Sequence, residues 1–146
     1  YNGSYDRSGE TIQRNLEKYP DIQVTLDVHR DAMGTQDGMR IKPTALINGK
    51  KAAQVMIISG CDDDGTLGFP NWEYNLRLGV RIQKSLSDLY PGLARPLSFC
   101  PKKYNEHMTK GSLLVEFGTE VNTLEEVKYS GQLFGKALAE TLEQLT

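Results

Sequence analysis

Residues 112–118, Ser-Leu-Leu-Val-Glu-Phe-Gly, form an almost entirely apolar segment with one charged side chain, Glu116. A short apolar run of this kind is typical of a central strand that is covered on both faces of a sheet. Glutamate is depleted both in strands and in protein interiors. The carboxylate must therefore be paired with a cation, linked to a metal, catalytic, or exposed at an edge. From the pattern alone, an ion pair with Arg30 and a role as an acid/base group are equally favoured.

A second strand pattern, residues 22–28, alternates apolar and polar side chains and leads directly into His29. The alternation places one set of side chains on each face, with Ile22, Val24, Leu26 and Val28 on one and Gln23, Thr25, Asp27 and His29 on the other. Asp27 and His29 are thus expected to be neighbours, about 7 Å apart along the strand. Taken alone, His29 is open to three interpretations: a metal ligand, a general base or a structural histidine.

The other segments predict helices alternating with strands. The helices are expected at 8–19, at 71–90 and from Asn122 or Thr123 onward, where Glu126 is placed for a capping box. The strands are expected at 41–47, 50–59, 96–100 and 112–118, with the first two joined as a hairpin by Asn48-Gly49. This order predicts the α/β class: a mixed, twisted β-sheet flanked by helices, with an inserted β-hairpin.

Composition is that of an ordinary globular chain, with 38% hydrophobic and 25% charged residues and a net charge of −2. This charge favours neither nucleic acid nor an anionic membrane as a partner. The longest apolar run, 55–58, is too short to cross a bilayer. Phosphate-binding, dinucleotide-binding and zinc-protease motifs are absent from the sequence. Cys61 and Cys100 lack metal-binding spacing and leave a disulfide open.

Several stretches of the chain occur in the order found in one known family. They are Tyr1–Tyr5, Arg7-Ser8, Glu10-Thr11, Leu26–Ala32, Pro70–Trp72, Leu89–Leu93, Arg95-Pro96, Tyr104-Asn105, His107 and Leu113–Asn122. Together they resemble the stage II sporulation protein P family.

The resemblance implies a fold like that of the zinc-dependent cell-wall amidases. It implies N-acetylmuramoyl-L-alanine amidase activity on peptidoglycan, with a second, endopeptidase activity on peptide cross-links, during forespore engulfment. The implied partners are sporulation protein D, a lytic transglycosylase, and a membrane partner. The implied location is outside the cytoplasm at the sporulation septum, with an upstream segment as membrane anchor.

Carried over by position, the resemblance assigns His29 as a zinc ligand and Glu116 as the catalytic glutamate. The family's first strand, which carries further zinc ligands, has no counterpart here. Residues 1–146 are therefore expected to be a single catalytic-domain fragment without that strand and first metal motif, with the other ligands upstream. Substrate contacts are expected from Arg30, Tyr104, Asn105 and His107. The alternative is a non-catalytic peptidoglycan-binding or complex-forming module.

Overall fold

The computed structural model of the protein describes residues 2–145. The helices are α1 (Ser4–Lys18), α2 (Trp72–Leu89) and α3 (Leu124–Glu143), and a short 3-10 helix spans Glu106–Met108. The strands are β1 (Thr25–Asp31), β2 (Thr44–Ile47), β3 (Lys50–Ala53), β4 (Val55–Gly60), β5 (Ser98–Cys100) and β6 (Ser112–Thr119). None of the helices in this part of the chain is long and apolar enough to span a membrane.

Four strands form the main sheet, in the order β1-β6-β4-β5. β1 runs parallel to β6, β6 antiparallel to β4, and β4 parallel to β5. The sheet is therefore mixed, as the sequence predicts. β6 lies between two strands and every one of its residues is buried, which confirms its prediction as a central strand.

The hydrophobic core lies between one face of this sheet and the helices α2 and α3. Its buried side chains include Val55, Ile57, Leu78, Ile82, Leu86, Leu113, Val115, Phe117, Leu133 and Phe134. Because side chains alternate along a strand, the opposite face of β6 carries Leu114 and Glu116. The core thus occupies one side of the sheet, and the charged residue of β6 lies on the other.

The predicted hairpin forms, but as a separate two-stranded sheet of β2 and β3. Asn48 and Gly49 both have positive φ, 49° and 77°, as the tight turn between two strands requires. The expected single strand 50–59 is interrupted at Gln54, whose N–H donates to the Pro43 carbonyl. Beyond that residue, β4 leaves the hairpin and joins the main sheet.

Several predicted boundaries and faces are wrong. α1 begins at Ser4 rather than Ser8, because Gly3 in the left-handed region precedes its first turn. β1 is displaced toward the C-terminus and includes Arg30 and Asp31, of which Asp31 pairs with Thr119 of β6. The helical spacing of apolar residues predicts buried stripes on α2 and α3 that include Val80, Leu89, Leu124 and Leu145, but these four residues are exposed. Cys61 and Cys100 are free thiols.

The start of α3 and the end of β6 are built together. Thr123 and Glu126 form the predicted capping box, in which each side chain accepts from the other residue's backbone N–H. Just before it, Gly118 adds an extra residue to β6, since His29 pairs with Glu116 but Asp31 pairs with Thr119. Gly118 has a φ of 64°. A Cβ there would lie 2.7 Å from that of Ala53 and closer still to Oδ1 of Asn122.

We expect Gly118→Ala to lower the free energy of unfolding by about 2 kcal/mol or more, since it adds both backbone strain and a steric clash. Gly135→Ala, in α3 with nothing within 4 Å of its added Cβ, is the matched control. It should gain about 0.5 to 1 kcal/mol from helix propensity. Urea denaturation of both variants measures the difference, and equal effects would show that the backbone at Gly118 is unconstrained.

Candidate active site

The pairing of β1 with β6 brings His29 and Glu116 together. They are direct partners in the register of these two parallel strands. Paired residues of neighbouring strands project from the same face, so both side chains lie on the face opposite the core. The two residues that the sequence singles out, 87 positions apart in the chain, are therefore adjacent in the fold.

His29 is held by contacts on two sides. Its Nε2 lies 2.9 Å from Oδ1 of Asp27, the neighbour expected from the strand alternation. Its ring stacks on that of Tyr5 from α1, with centroids 6.1 Å apart and planes within 7°. Asp27 and Tyr5 thus lie against the imidazole on two sides.

Glu116 is a buried carboxylate with an unpartnered oxygen. The residue is only 8% exposed, and its Oε2 is buried with no hydrogen-bond partner in the described chain. Burial raises the pKa of Glu116, and the negative charge of Asp31 adds to this effect. His29 and Arg95 act in the opposite direction on the same pKa. An unpaired buried carboxylate is costly, and such groups concentrate at functional sites.

A largely buried ion pair crosses the same face of the sheet. Nη1 of Arg95 lies 2.9 Å from Oδ2 of Asp31, and the two side chains are 17% and 23% exposed. Arg95 lies beside β4, where its N–H donates to the Val55 carbonyl, whereas Asp31 belongs to β1. Since β6 lies between β4 and β1, the pair passes over the strand that carries Glu116.

Arg30 does not pair with Glu116, and this sequence-based alternative is wrong. In the alternation of β1, Arg30 lies on the face opposite His29. Its Nε and Nη2 donate to the Thr119 carbonyl at 3.1 and 2.6 Å, and Nη2 also donates to the Asn122 carbonyl at 2.5 Å. Arg30 thus clamps the end of β6 to the start of α3, and the structure does not bring it into the cluster around Glu116.

The segment that contains Tyr104, Asn105 and His107 covers part of the same side. Tyr104 packs against Tyr5 with ring centroids 5.4 Å apart, and burial raises its pKa to about 12. Nδ2 of Asn105 donates to the Tyr5 carbonyl at 2.9 Å and to Oγ of Ser8 at 3.0 Å. These two residues therefore hold the first turns of α1 over His29.

His107 lies in the 3-10 helix of this segment, with a buried Nδ1 that has no partner in residues 2–145. Burial lowers its pKa, and the nearby Lys103 lowers it further. Its ring makes no aromatic stack with Tyr5 or His29 of the kind that joins those two residues. The structure therefore does not link His107 directly to the pair His29–Glu116.

Glu106 is a second buried carboxylate that sequence reasoning missed. It is 3% exposed, its Oε2 accepts from the Gly60 N–H at 2.7 Å, and Oε1 has no partner in the described chain. Burial raises its pKa to about 7, and the charge of Asp27 contributes in the same direction. The sequence places Glu106 in a polar loop, so no local signal marks it as buried.

Zinc is the metal that the family resemblance implies, and the residues fit one part of such a site. A metal-binding histidine usually has a carboxylate beside its second ring nitrogen, and Oδ1 of Asp27 lies 2.9 Å from Nε2 of His29. A catalytic zinc typically has three protein ligands. Within residues 2–145, no three His, Cys, Asp or Glu side chains form a group able to hold a metal ion. His29 is the residue here that fits as a ligand.

Comparison with known proteins identifies the family of this chain. The family model of stage II sporulation protein P matches residues 1–139, and the chain belongs to this family. Stage II sporulation protein P of Bacillus subtilis (strain 168) is 30% identical over 133 residues, an alignment covering 88% of this chain and 30% of that relative. The chain thus spans about a third of that curated relative. No solved structure matches the chain.

We expect the buried charge of Glu106 to make stability depend on pH. Its pKa rises from an ordinary 4.5 to about 7 on folding, so the native state binds more protons in between. The free energy of unfolding should fall as the pH rises from about 5 to 8, by at most about 3 kcal/mol from this group. Glu106→Gln should reduce this slope, as followed by thermal unfolding at each pH. Glu120→Gln, at an exposed carboxylate, is the control, and an unchanged slope in Glu106→Gln would contradict the assignment.

Proposed function

We propose that this chain is a catalytic-domain fragment of a zinc-dependent N-acetylmuramoyl-L-alanine amidase that cleaves peptidoglycan during sporulation. The observation that carries the proposal is the buried, unpartnered carboxylate of Glu116 in register with His29. Family membership supports the role in sporulation. A second activity, endopeptidase cleavage of peptide cross-links, would use the same site.

Glu116 acts as the general base in this proposal. The reaction adds water to the amide carbonyl and then expels the amine of the stem peptide. Glu116 accepts a proton from the attacking water and delivers it to the leaving nitrogen. A raised carboxylate pKa suits both transfers near neutral pH, because the group then both binds and releases a proton readily.

His29 is the proposed zinc ligand, with Asp27 as the carboxylate that orients it. When bound, zinc would lower the pKa of a water molecule and polarise the scissile carbonyl. The remaining ligands are proposed to come from a segment upstream of this chain. The open edge of β1 supports this, because Val28 is 65% exposed on the face that α2 and α3 cover elsewhere. An added strand beside β1 would extend the sheet next to His29.

The place and partners of the protein follow from the family alone and are part of the proposal. The site would act outside the cytoplasm at the sporulation septum and the engulfing membrane, with the upstream segment as anchor. Sporulation protein D, a lytic transglycosylase, and a membrane protein are the proposed partners. The competing function is a non-catalytic peptidoglycan-binding or complex-forming module, which would bind wall fragments without turning them over.

We expect Glu116→Gln, in the longer protein that carries the upstream segment, to lower amide cleavage by about two to four orders of magnitude. Zinc binding should survive, because the substitution preserves shape and removes only the proton acceptor. Release of stem peptides from purified wall fragments measures the rate. Glu120→Gln, farther along the same chain and exposed, is the control. Near-normal turnover in Glu116→Gln would exclude it as the base, and no turnover in the unaltered protein would favour the binding module.

We expect His29→Ala in the longer protein to lose zinc and activity together, because it removes a ligand from a small set. The chain offers a matched control in His107→Ala, since the sequence contains only these two histidines. Zinc per protein chain, measured on dialysed samples, should fall only in the first variant. Unchanged zinc content in His29→Ala would overturn the ligand assignment.

A further inference from the structure

The fold fixes Arg95 through its backbone, independently of its side chain. The N–H of Arg95 donates to the Val55 carbonyl at 2.7 Å. Its own carbonyl accepts from Nε2 of Gln83 in α2 at 2.8 Å. The preceding residue, Ala94, forms a parallel bridge with Val55. The arginine is therefore anchored to both β4 and α2, and its long side chain starts from a defined position beside the sheet.

From that position the guanidinium group reaches across the face that carries Glu116. Its partner Asp31 belongs to β1, on the far side of β6. The ion pair therefore passes over β6, the strand that carries Glu116. The side chain of Arg95 is 17% exposed, so its positive charge is held in a largely dehydrated setting beside the proposed base.

Most of the hydrogen-bonding capacity of this group is unused. A guanidinium has five N–H donors in a planar fork. In Arg95 only Nη1 donates, to Oδ2 of Asp31, and neither Nε nor Nη2 has a partner among residues 2–145. In Arg30, by contrast, Nε and Nη2 are both occupied by backbone carbonyls. Asp31 therefore orients Arg95 while leaving donors for another acceptor.

We propose that Arg95 binds a carboxylate of the substrate's stem peptide, namely that of the acidic residue following the alanine of the scissile amide. The assignment rests on the proposed function and names the specificity-determining residue of the same site. Arginine matches the flat, two-oxygen geometry of a carboxylate. An anionic oxygen bound there would lie on the same face as Glu116 and would orient the peptide across it.

The test uses two muramyl peptides that differ only in this residue, one with the free carboxylate and one with the carboxamide. In the longer protein, Arg95→Ala should lower kcat/KM about ten- to a hundredfold for the acidic peptide, mainly through KM, because a charge-assisted hydrogen bond is lost. For the amidated peptide the change should be less than about threefold. Arg95→Lys should restore only part of the loss, since it retains charge without the fork.

Asp31→Asn separates substrate binding from a purely structural ion pair. If the ion pair only supports the fold, Asp31→Asn and Arg95→Ala will each lower the melting temperature and will reduce kcat/KM equally for both peptides. That result would show the proposal to be wrong. If Arg95 binds substrate, Asp31→Asn will retain most of the preference for the acidic peptide.

A binding measurement distinguishes this proposal from the proposed activity. Calorimetry of the Glu116→Gln variant with the free and the amidated stem peptide needs no turnover. If the protein binds the free carboxylate more tightly and Arg95→Ala abolishes this preference, the proposal is supported even when no amide is cleaved. In that case only the amidase assignment fails. Equal binding of the two peptides, or no binding of either, overturns the role of Arg95 whatever the activity.

Discussion

The parallel pairing of β1 with β6 is the interaction on which the rest of the molecule depends. It joins a residue from the first fifth of the chain to one in the last quarter, placing His29 beside Glu116. It also determines which face of the sheet each side chain of β6 occupies. Leu113, Val115 and Phe117 lie in the core, and Glu116 lies on the opposite face. A shift of this register by one residue would exchange these faces, burying the charge under α2 and α3 and exposing the apolar side chains.

The electrostatics of the site follow from the same arrangement. Two carboxylates, Glu116 and Glu106, are buried without a cation bonded to either in the described chain, and their pKa values are raised mainly by burial. Arg95 forms its ion pair with Asp31. It therefore lowers the pKa of Glu116 without bonding to that carboxylate. Burial of these carboxylates costs stability, and the large apolar core offsets that cost.

Local rules of the sequence predict much of this fold. The apolar run of β6, the Asn48-Gly49 turn, the Thr123–Glu126 capping box and the common face of Asp27 and His29 are all found as predicted, because each depends on residues close together in the chain. The site is predicted less completely. Arg95 lies near Glu116 because of the order of the strands in the sheet, which the sequence does not reveal. Glu106 is buried because its loop folds against Gly60. An ion pair of Arg30 with Glu116 is one of two alternatives that the sequence leaves open, yet Arg30 donates three hydrogen bonds to the carbonyls of Thr119 and Asn122 on the other face.

α1 is only weakly attached to the rest of the domain. None of its residues is buried, and its described hydrogen bonds to the loop come from Asn105 alone, at its first turns. A helix attached in this way can detach at a free energy well below that of global unfolding, because little apolar surface is exposed when it leaves. Yet Tyr5, in its first turn, covers the imidazole of His29. The His29 side chain is already 34% exposed. Detachment of α1 would therefore uncover the face of the ring that Tyr5 covers, and it can occur many times while the sheet beneath stays folded.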